Sequence, residues 1–477
     1  MAIFVLRPLV SVIKMPSQGE SAHEFSALNT LLLVVVLGLC IVSAYLIKQN
    51  SFYYLPESGA AILVGLVVGG LARLVYPSKE ELEFLTFDSE IFFFLLLPPI
   101  IFEAGYALKK KDFFANFWTI NLFAVWGTIM STFVIGFLVY LSGLMKLIPM
   151  TNPWDGFLFG ALISAVDPVA TLSIMGNAEL NCDPLLYSLV FGESVLNDAV
   201  AIVLFNTFLS YYDSAQAFSY QTLGSVMLKF LFISTGSVFI GLSSSLLCCF
   251  LCKHTFMTKY PEYEISILFL FAYGSYSLSE ALGLSGIMSL FFSSIILSYY
   301  NSNNLSPSSK VTAHCIFKSL SVLCEFFVFL YMGMGFFTGR FKNWNFLFIF
   351  LAIIFCLIAR LFNTFPFSFL ANLVRSHPIP IRMQAVIWFA GLRGAMSFAL
   401  SLNMVGENRD LYVSTTLSVV IFTTVVGGGL TEPFMSAMGM KRAHPPPAPE
   451  DGDRDTFAYE VCNRLQLAQE CRRISYY

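Results

Sequence analysis

Leu189–Leu204 reads LVFGESVLNDAVAIVL: its apolar residues make it a candidate bilayer-crossing helix, and its acids make it a candidate site. Glu193 and Asp198, with Asn197 beside the aspartate, sit in a run otherwise apolar enough to lie inside a membrane. An ionised side chain at the bilayer centre costs at least about 2.5–3.5 kcal/mol, so intramembrane acids are functional by default. On a helix turning about 100° per residue, Ser194 and Asp198 share one face and Glu193 and Asn197 the neighbouring one. The result is a wedge of oxygen ligands in an apolar shell, which suits a dehydrated hard cation. The plainer alternative, acids that only pair with structural arginines, stays open, for Glu193 more than for Asp198.

Composition widens the same reading. The 477 residues are 57% hydrophobic and 12% charged, with 50 phenylalanines and a mean hydropathy of +0.73. A soluble chain carries about 25% charged residues, so this is a polytopic membrane protein, in contact with lipid over most of its length. The net charge is −3 and no basic block exceeds Lys109–Lys111, which excludes a nucleic-acid partner. Ten cysteines show no paired spacing and five histidines form no cluster, so neither a disulfide framework nor a zinc site is supported. Cys248, Cys249 and Cys252 gather at the end of one span, as apolar filler or as S-acylation sites. No nucleotide loop and no nucleophile with a nearby histidine is present, so the chain is not read as an enzyme and no cofactor is expected. The opening MAIFVLRPLVSVIKM is interrupted by Arg7 and Lys14, which makes a poor signal peptide and leaves cleavage open.

A helix needs about 20 apolar residues to cross a bilayer. Such stretches fall at 28–47, 56–75, 91–108, 117–141, 156–175, 185–209, 223–251, 265–281, 284–299, 316–337, 346–370, 385–404 and 412–438, about thirteen spans. With the C-terminus cytosolic, that side holds Lys48, Lys109, Lys110, Lys111, Lys253, Lys259, Lys310, Arg375, Arg382, Lys441 and Arg442. The other side holds Arg73, Lys79, Lys146, Arg340, Lys342 and Arg409, so the bias is eleven against six, or eight if Arg7 and Lys14 are added. The sequon Asn304-Leu305-Ser306, followed by Pro307, falls on the cytosolic side and is expected to stay unglycosylated. The domain reading is an N-terminal segment at 1–27, a membrane domain at 28–440 and a short cytosolic tail at 441–477. The tail's AHPPPAPEDGDRD stretch, from Ala443, should be mobile.

Two spans are interrupted in the manner that marks transporter sites. In 156–175 the break is Ser164-Ala165-Val166-Asp167-Pro168, where proline removes a donor and disfavours helix at the residue before it. In 385–404 it is Gly391-Leu392-Arg393-Gly394-Ala395, two glycines that loosen the helix around an arginine. The first is fifth from the start and the second is fifth after the seventh span. That is the pattern of two six-span repeats, at about 28–210 and 265–438, joined by a linking helix at about 223–251. Irregular backbone at this depth is tolerated only where it is buried or lines a cavity. Asp167 can then approach Asp198 across one hairpin. Arg360, inside an apolar run, needs a carboxylate; Glu193 is the first candidate and Glu325 the second, while Arg393, Glu103 and Lys318 are the other ionisable groups in or near spans.

With these residues in hand, the ordered motifs LLPPIIFEAGY, VDPVA, FGESVLNDAV, LSGIM, ARLFN and GLRGA resemble the eukaryotic sodium/proton exchanger family, monovalent cation/proton antiporters, from about Leu28 to Met438. VDPVAT and LFAVWGT look most like its organellar, isoform-eight branch. The resemblance implies an all-α fold of thirteen helices in two inverted six-helix repeats with crossed discontinuous helices, and a homodimer with a fixed frame and a moving core. It implies that Asp198 binds Na+ (or K+) and H+ in turn, with Asn197 where electrogenic relatives carry a second aspartate. Asp167, Ser194 and, more doubtfully, Ser285 match ion-site positions. Glu193 and Arg360 match a stabilising salt bridge, and Arg393 matches a position implicated in pH response, with Glu325 grouped with it as core support. Relatives of this kind sit in Golgi or endosomal membranes. The family's long regulatory tail is not matched, so tail-binding regulators are not expected.

The chemistry expected is competition. A carboxylate in a partly desolvated cleft holds a proton more tightly and can trade it for a cation. If one aspartate serves both ions, each loaded form has the same charge, and crossing costs little against a potential worth about 2.3 kcal/mol per charge per 100 mV. A cation channel and a sodium-coupled symporter are the alternatives on the same residues.

Overall fold

Inside lipid every backbone N–H and C=O must find its partner within its own segment, so continuous apolar runs become helices. The computed structural model describes residues 21–50, 55–75, 89–149, 152–167, 171–172, 175, 183–213, 220–255, 259–301, 304–337, 343–375 and 377–439; nothing there is strand. The amino-terminal reading up to residue 20, Pro168 of the first break and the tail from residue 440 lie outside these residues.

In order, α1 is Ser21–Gln49 and α2 Glu57–Val75; α3 runs as Ser89–Ile91, a π-turn at Phe92–Leu96, and Leu97–Tyr106. The short α4 is Lys110–Ala115, and α5 joins Phe117–Asn121, a second π-turn at Leu122–Gly127, and Thr128–Leu144. Next come α6 Pro153–Ser164, α7 Pro184–Asp213, α8 Tyr220–His254, α9 Pro261–Ala281, α10 Gly286–Tyr300, α11 Pro307–Gly335 and α12 Phe346–Val374. α13 Ile381–Phe389 and α14 Ala395–Leu402 are the two halves of a broken helix. α15 is Arg409–Phe422, a third π-turn at Thr423–Gly427, and Gly428–Ala437. Eight of these helices are long and apolar enough to cross a membrane, and Phe92–Tyr106 and Gly286–Tyr300 are apolar but shorter. Several expected ends shift: α11 begins nine residues early, at Pro307, and α1 seven, at Ser21; the stretch read as starting at 284 starts at Gly286, because Ser285 caps it, and α9 begins four residues early, at Pro261, whose ring suits the first helical position.

The helices pack in two sets. One joins α2, α3, α8, α9, α10 and α11, with α1 laid on α2; the other joins α5, α6, α7, α12, α14 and α15. They meet along α7 against α8 and α10, and where α14 reaches α11. Within each set small residues let backbones touch. A Cβ on Gly65 of α2 would strike the Leu330 carbonyl of α11, and one on Gly160 of α6 the Thr132 carbonyl of α5. The second set holds the site.

Candidate ion-binding site

α6 stops at Ser164, where Ala165 turns out of the helix with ψ 126°, and the chain runs on without helix to Asp167. α13 stops at Phe389 and α14 resumes at Ala395. The two breaks cross. The Asp167 N–H donates to the Leu392 carbonyl at 2.9 Å, and Ser397 Oγ donates to the Ala165 carbonyl at 3.2 Å. A helix C-terminus carries unsatisfied carbonyls and a partial negative charge, and each broken helix meets an arginine there. Arg393 Nη1 donates to the Ser164 carbonyl at 3.0 Å and to that of Ala165 at 3.4 Å. Arg360 Nη2 donates to the Ile387 carbonyl near the end of α13, at 2.7 Å.

The glycines of the second break serve this crossing by their size. A Cβ on Gly391 would lie inside the Arg360 guanidinium, and one on Gly394 inside the Asp167 side chain. Gly394 has φ −134° and ψ −161°, extended backbone open to any residue. Looseness of the helix, the reason read from the sequence, is therefore replaced by close approach. Gly394→Ala is expected to displace the Asp167 carboxylate and cut exchange on the order of 100-fold, the cost of about 1 Å of misplacement at a reacting group. Gly274→Ala, with nothing within 4 Å of the added carbon, should leave exchange unchanged; Na+-driven pH changes in proteoliposomes of the two variants check this.

α7 crosses the first break with its polar face. The Val166 N–H donates to Asn197 Oδ1 at 3.0 Å, Asn197 Nδ2 donates to Thr128 Oγ1 at 2.7 Å, and Thr128 donates to the Ala124 carbonyl at 2.5 Å. Ser194 Oγ donates to the Val166 carbonyl at 3.1 Å. Asn197 thus works as a neutral clip that uses both ends of its amide on protein groups, one of them a backbone N–H freed by the break. The next residue, Asp198, is different. Its Oδ1 is buried and has no hydrogen-bond partner among the described residues, and its charge is within reach of Asp167. A buried acceptor without a donor calls for an ion or a proton to fill it.

Around this centre lie the supports. Arg360 Nη1 and Glu193 Oε1 are 2.5 Å apart, with the pair 2% and 3% exposed. Asn363 Nδ2 donates to the same oxygen at 3.5 Å. Of the two partners considered for Arg360, Glu193 has it; Glu325 accepts instead from Ser321 Oγ at 3.3 Å. Glu325 is also in electrostatic reach of Asp167 and Glu103, and Glu103 of Lys318. Ser285 lies elsewhere: its N–H donates to Ser237 Oγ on α8 at 2.9 Å, and its Oγ caps α10 by accepting from the Met288 N–H.

Sequence reasoning missed Thr128, Asn363 and the threonines that hold Arg393. Thr423 Oγ1 and Thr424 Oγ1 both donate to the Arg393 carbonyl at 3.2 Å, while the Arg393 N–H donates to Thr423 Oγ1. Asn363 stands three residues after Arg360, a spacing that puts both on one helical face. The other residues trace to π-turns, which recur at functional sites. One π-turn ends directly before Thr128, and another carries Thr423 and Thr424. No periodicity marks a π-turn in advance.

A family model described as sodium/hydrogen exchanger, transmembrane, matches residues 31–437. Human sodium/hydrogen exchanger 8 is 39% identical over 437 residues, covering 89% of this chain and 74% of its own length. Human sodium/hydrogen exchanger 9 is 35% identical, covering 88% of this chain and 73% of its own. Among solved structures, the sodium proton antiporter MjNhaP1 from Methanocaldococcus jannaschii at pH 8 aligns with a TM-score of 0.63 at 17% identity, over 86% of this chain and 98% of its own, a likeness of fold. An all-helical chain with crossed breaks and an unpartnered acid between them, matched by the exchanger model along nearly all its membrane part, belongs to the sodium/hydrogen exchanger family, in its isoform-eight branch.

Proposed function

We propose that this chain exchanges one Na+ for one H+ without net charge movement, with Asp198 as the group both ions share. The single observation that carries the reading is the buried, unpartnered Asp198 Oδ1 at the crossing of the two breaks. The charges nearby support the stoichiometry. Glu193 and Arg360 form an ion pair, and by formal count the charge of Arg393 offsets that of Asp167 on the crossed segments, so among these five groups one negative charge is left over, assigned to Asp198. With a proton or a Na+ bound the region is neutral and crosses the membrane field at little cost; empty, it carries a charge that opposes crossing. Asn197 in place of a second acid keeps that count at one. Ser194, Asp167 and the Val166 carbonyl supply further oxygens suited to a hard monovalent cation, and K+ is the other candidate cargo.

Glu103, Glu325 and Asp167 interact electrostatically in sequence toward Asp198, an acidic approach that would concentrate cations at the site. In this reading the second helix set moves past the first, as an elevator in a homodimer surrounded by lipid. It would set luminal or cytosolic pH in a Golgi or endosomal membrane, with the C-terminus cytosolic. Arg393, whose guanidinium meets the end of α6, is the residue through which pH would act on the break. Ser285, in the α8–α10 corner, would act through the frame. Purified chain in liposomes with an entrapped pH dye tests the whole: an inward Na+ gradient should alkalinise a Na+-free lumen and an outward gradient should acidify a Na+-loaded one, at a rate unchanged by a clamped potential. A current that follows voltage would mean a channel, and acidification requiring an organic co-substrate would mean a symporter.

A further inference from the structure

Far from the ion site, the last turns of α8 bring three thiols together. Cys248 and Cys252 stand four residues apart on one face and Cys249 beside them, and all are buried, at 0%, 6% and 8% exposure. One turn apart on the unbroken helix, the Cys248 and Cys252 thiols lie side by side. Burial removes S-acylation from consideration, since the transferring enzyme must reach the sulfur. The surroundings close over the pair from two other elements. Glu264, in the first turn of α9, accepts from the Ser306 N–H and from Ser306 Oγ at 2.9 Å. Asn304 Nδ2 donates to the Cys249 carbonyl at 3.4 Å. Asn301, 0% exposed, points its amide at Cys252 and finds no nitrogen or oxygen partner for either end.

Three uses of such a pair can be separated on physical grounds. Packing filler needs no unpartnered amide aimed at it. A disulfide needs Cβ atoms about 3.5–4.5 Å apart, whereas residues four apart on an intact helix hold theirs at about 5–6 Å, and α8 is unbroken through His254. An ion held between the two sulfurs spans the larger gap without moving the backbone. Among the described residues no three histidine, cysteine or acidic side chains converge at metal-ligand spacing, so the ion must be content with two protein ligands. Thiolates select soft ions. We infer that Cys248 and Cys252 form a two-sulfur clamp for a soft monovalent cation of the Cu+ and Ag+ type, with the Asn301 amide facing it. Binding converts two thiols and one M+ into a bis-thiolate of charge −1 and releases two protons to solvent. No oxidation state changes. Lys253 stands in the last turn of the same helix.

The test uses Ag+, which is redox-inert here, titrated into the purified full chain in chloride-free buffer, with maleimide protection mapped by mass spectrometry. Cys248 and Cys252 should be protected together by one equivalent. C248S and C252S should each weaken that site at least tenfold, and C315S, at an exposed thiol, should leave it intact. Na+/H+ exchange by C248S/C252S in liposomes should match the unaltered chain, showing that the variant is folded and that the clamp is separate from transport. Equal Ag+ stoichiometry and affinity in C248S/C252S would overturn the inference. So would a Cys248–Cys252 disulfide recovered from chain treated with a mild thiol oxidant.

Discussion

Asp198→Asn is expected to reduce Na+-driven proton movement in proteoliposomes to the level of empty vesicles, with the chain still folded. The two side chains have the same shape, and Asp198 Oδ1 makes no hydrogen bond to lose, so the variant is expected to fold, which size-exclusion in detergent checks. What disappears is the charge. An amide cannot bind a proton near neutral pH and offers a cation a dipole where it needs a formal negative charge. Asp198→Glu keeps the charge but pushes it one methylene toward Asp167, and should retain exchange at a lower rate. Asp167→Asn is the informative contrast. It leaves Asp198 able to cycle while removing one negative charge from the set formed with Glu193, Asp198, Arg360 and Arg393, so the core becomes positive when loaded and transport should become voltage-sensitive. Coupled exchange surviving in Asp198→Asn would remove the foundation of the mechanism.

The second large effect concerns stability. Glu193→Gln leaves the Arg360 guanidinium 2% exposed with no anion beside it, and breaking a buried ion pair from one side costs about 3–5 kcal/mol. Arg360 also holds the Ile387 carbonyl at the end of α13, so Arg360→Gln should be at least as damaging. The double variant should unfold at a higher temperature than the sum of the two losses implies, because neither charge is then stranded. Thermal unfolding of the four proteins in detergent, followed by size-exclusion, reads the cycle. Additive losses would show that the pair is two independent residues, each held by its other contacts. The distinction from Asp198 is plain: one acid is spent on holding the broken helices together, the other is left free to react.

How far the sequence could see follows from the kind of information each feature needs. The spans were legible because hydropathy is local and lipid leaves the backbone one solution; most bounds moved by a few residues, while α1 and α11 start seven and nine residues before the apolar run because a helix can extend past the apolar stretch. Both breaks were legible for the same reason, Ser164–Asp167 through the proline that follows it and Gly391–Ala395 through its paired glycines. What those glycines are for was not legible. Gly394 looks like a flexible joint until Asp167, more than two hundred positions earlier, is found pressed against its Cα. Asn197 reads as one more ion ligand until its amide is seen tied to Val166 and Thr128. Ser285 stands in a transporter motif and serves as a helix cap.

The amino-acid order therefore determined by itself that this is a helical membrane protein with two interrupted spans and acids in its interior. Tertiary structure alone decided which acid Arg360 neutralises, which arginine closes which broken helix, and which carboxylate is left without a donor. Those outcomes depend on where chain segments 167 residues apart meet. Coulomb attraction and hydrogen bonding act across space at a few ångströms, while hydropathy and helix-breaking act along the chain.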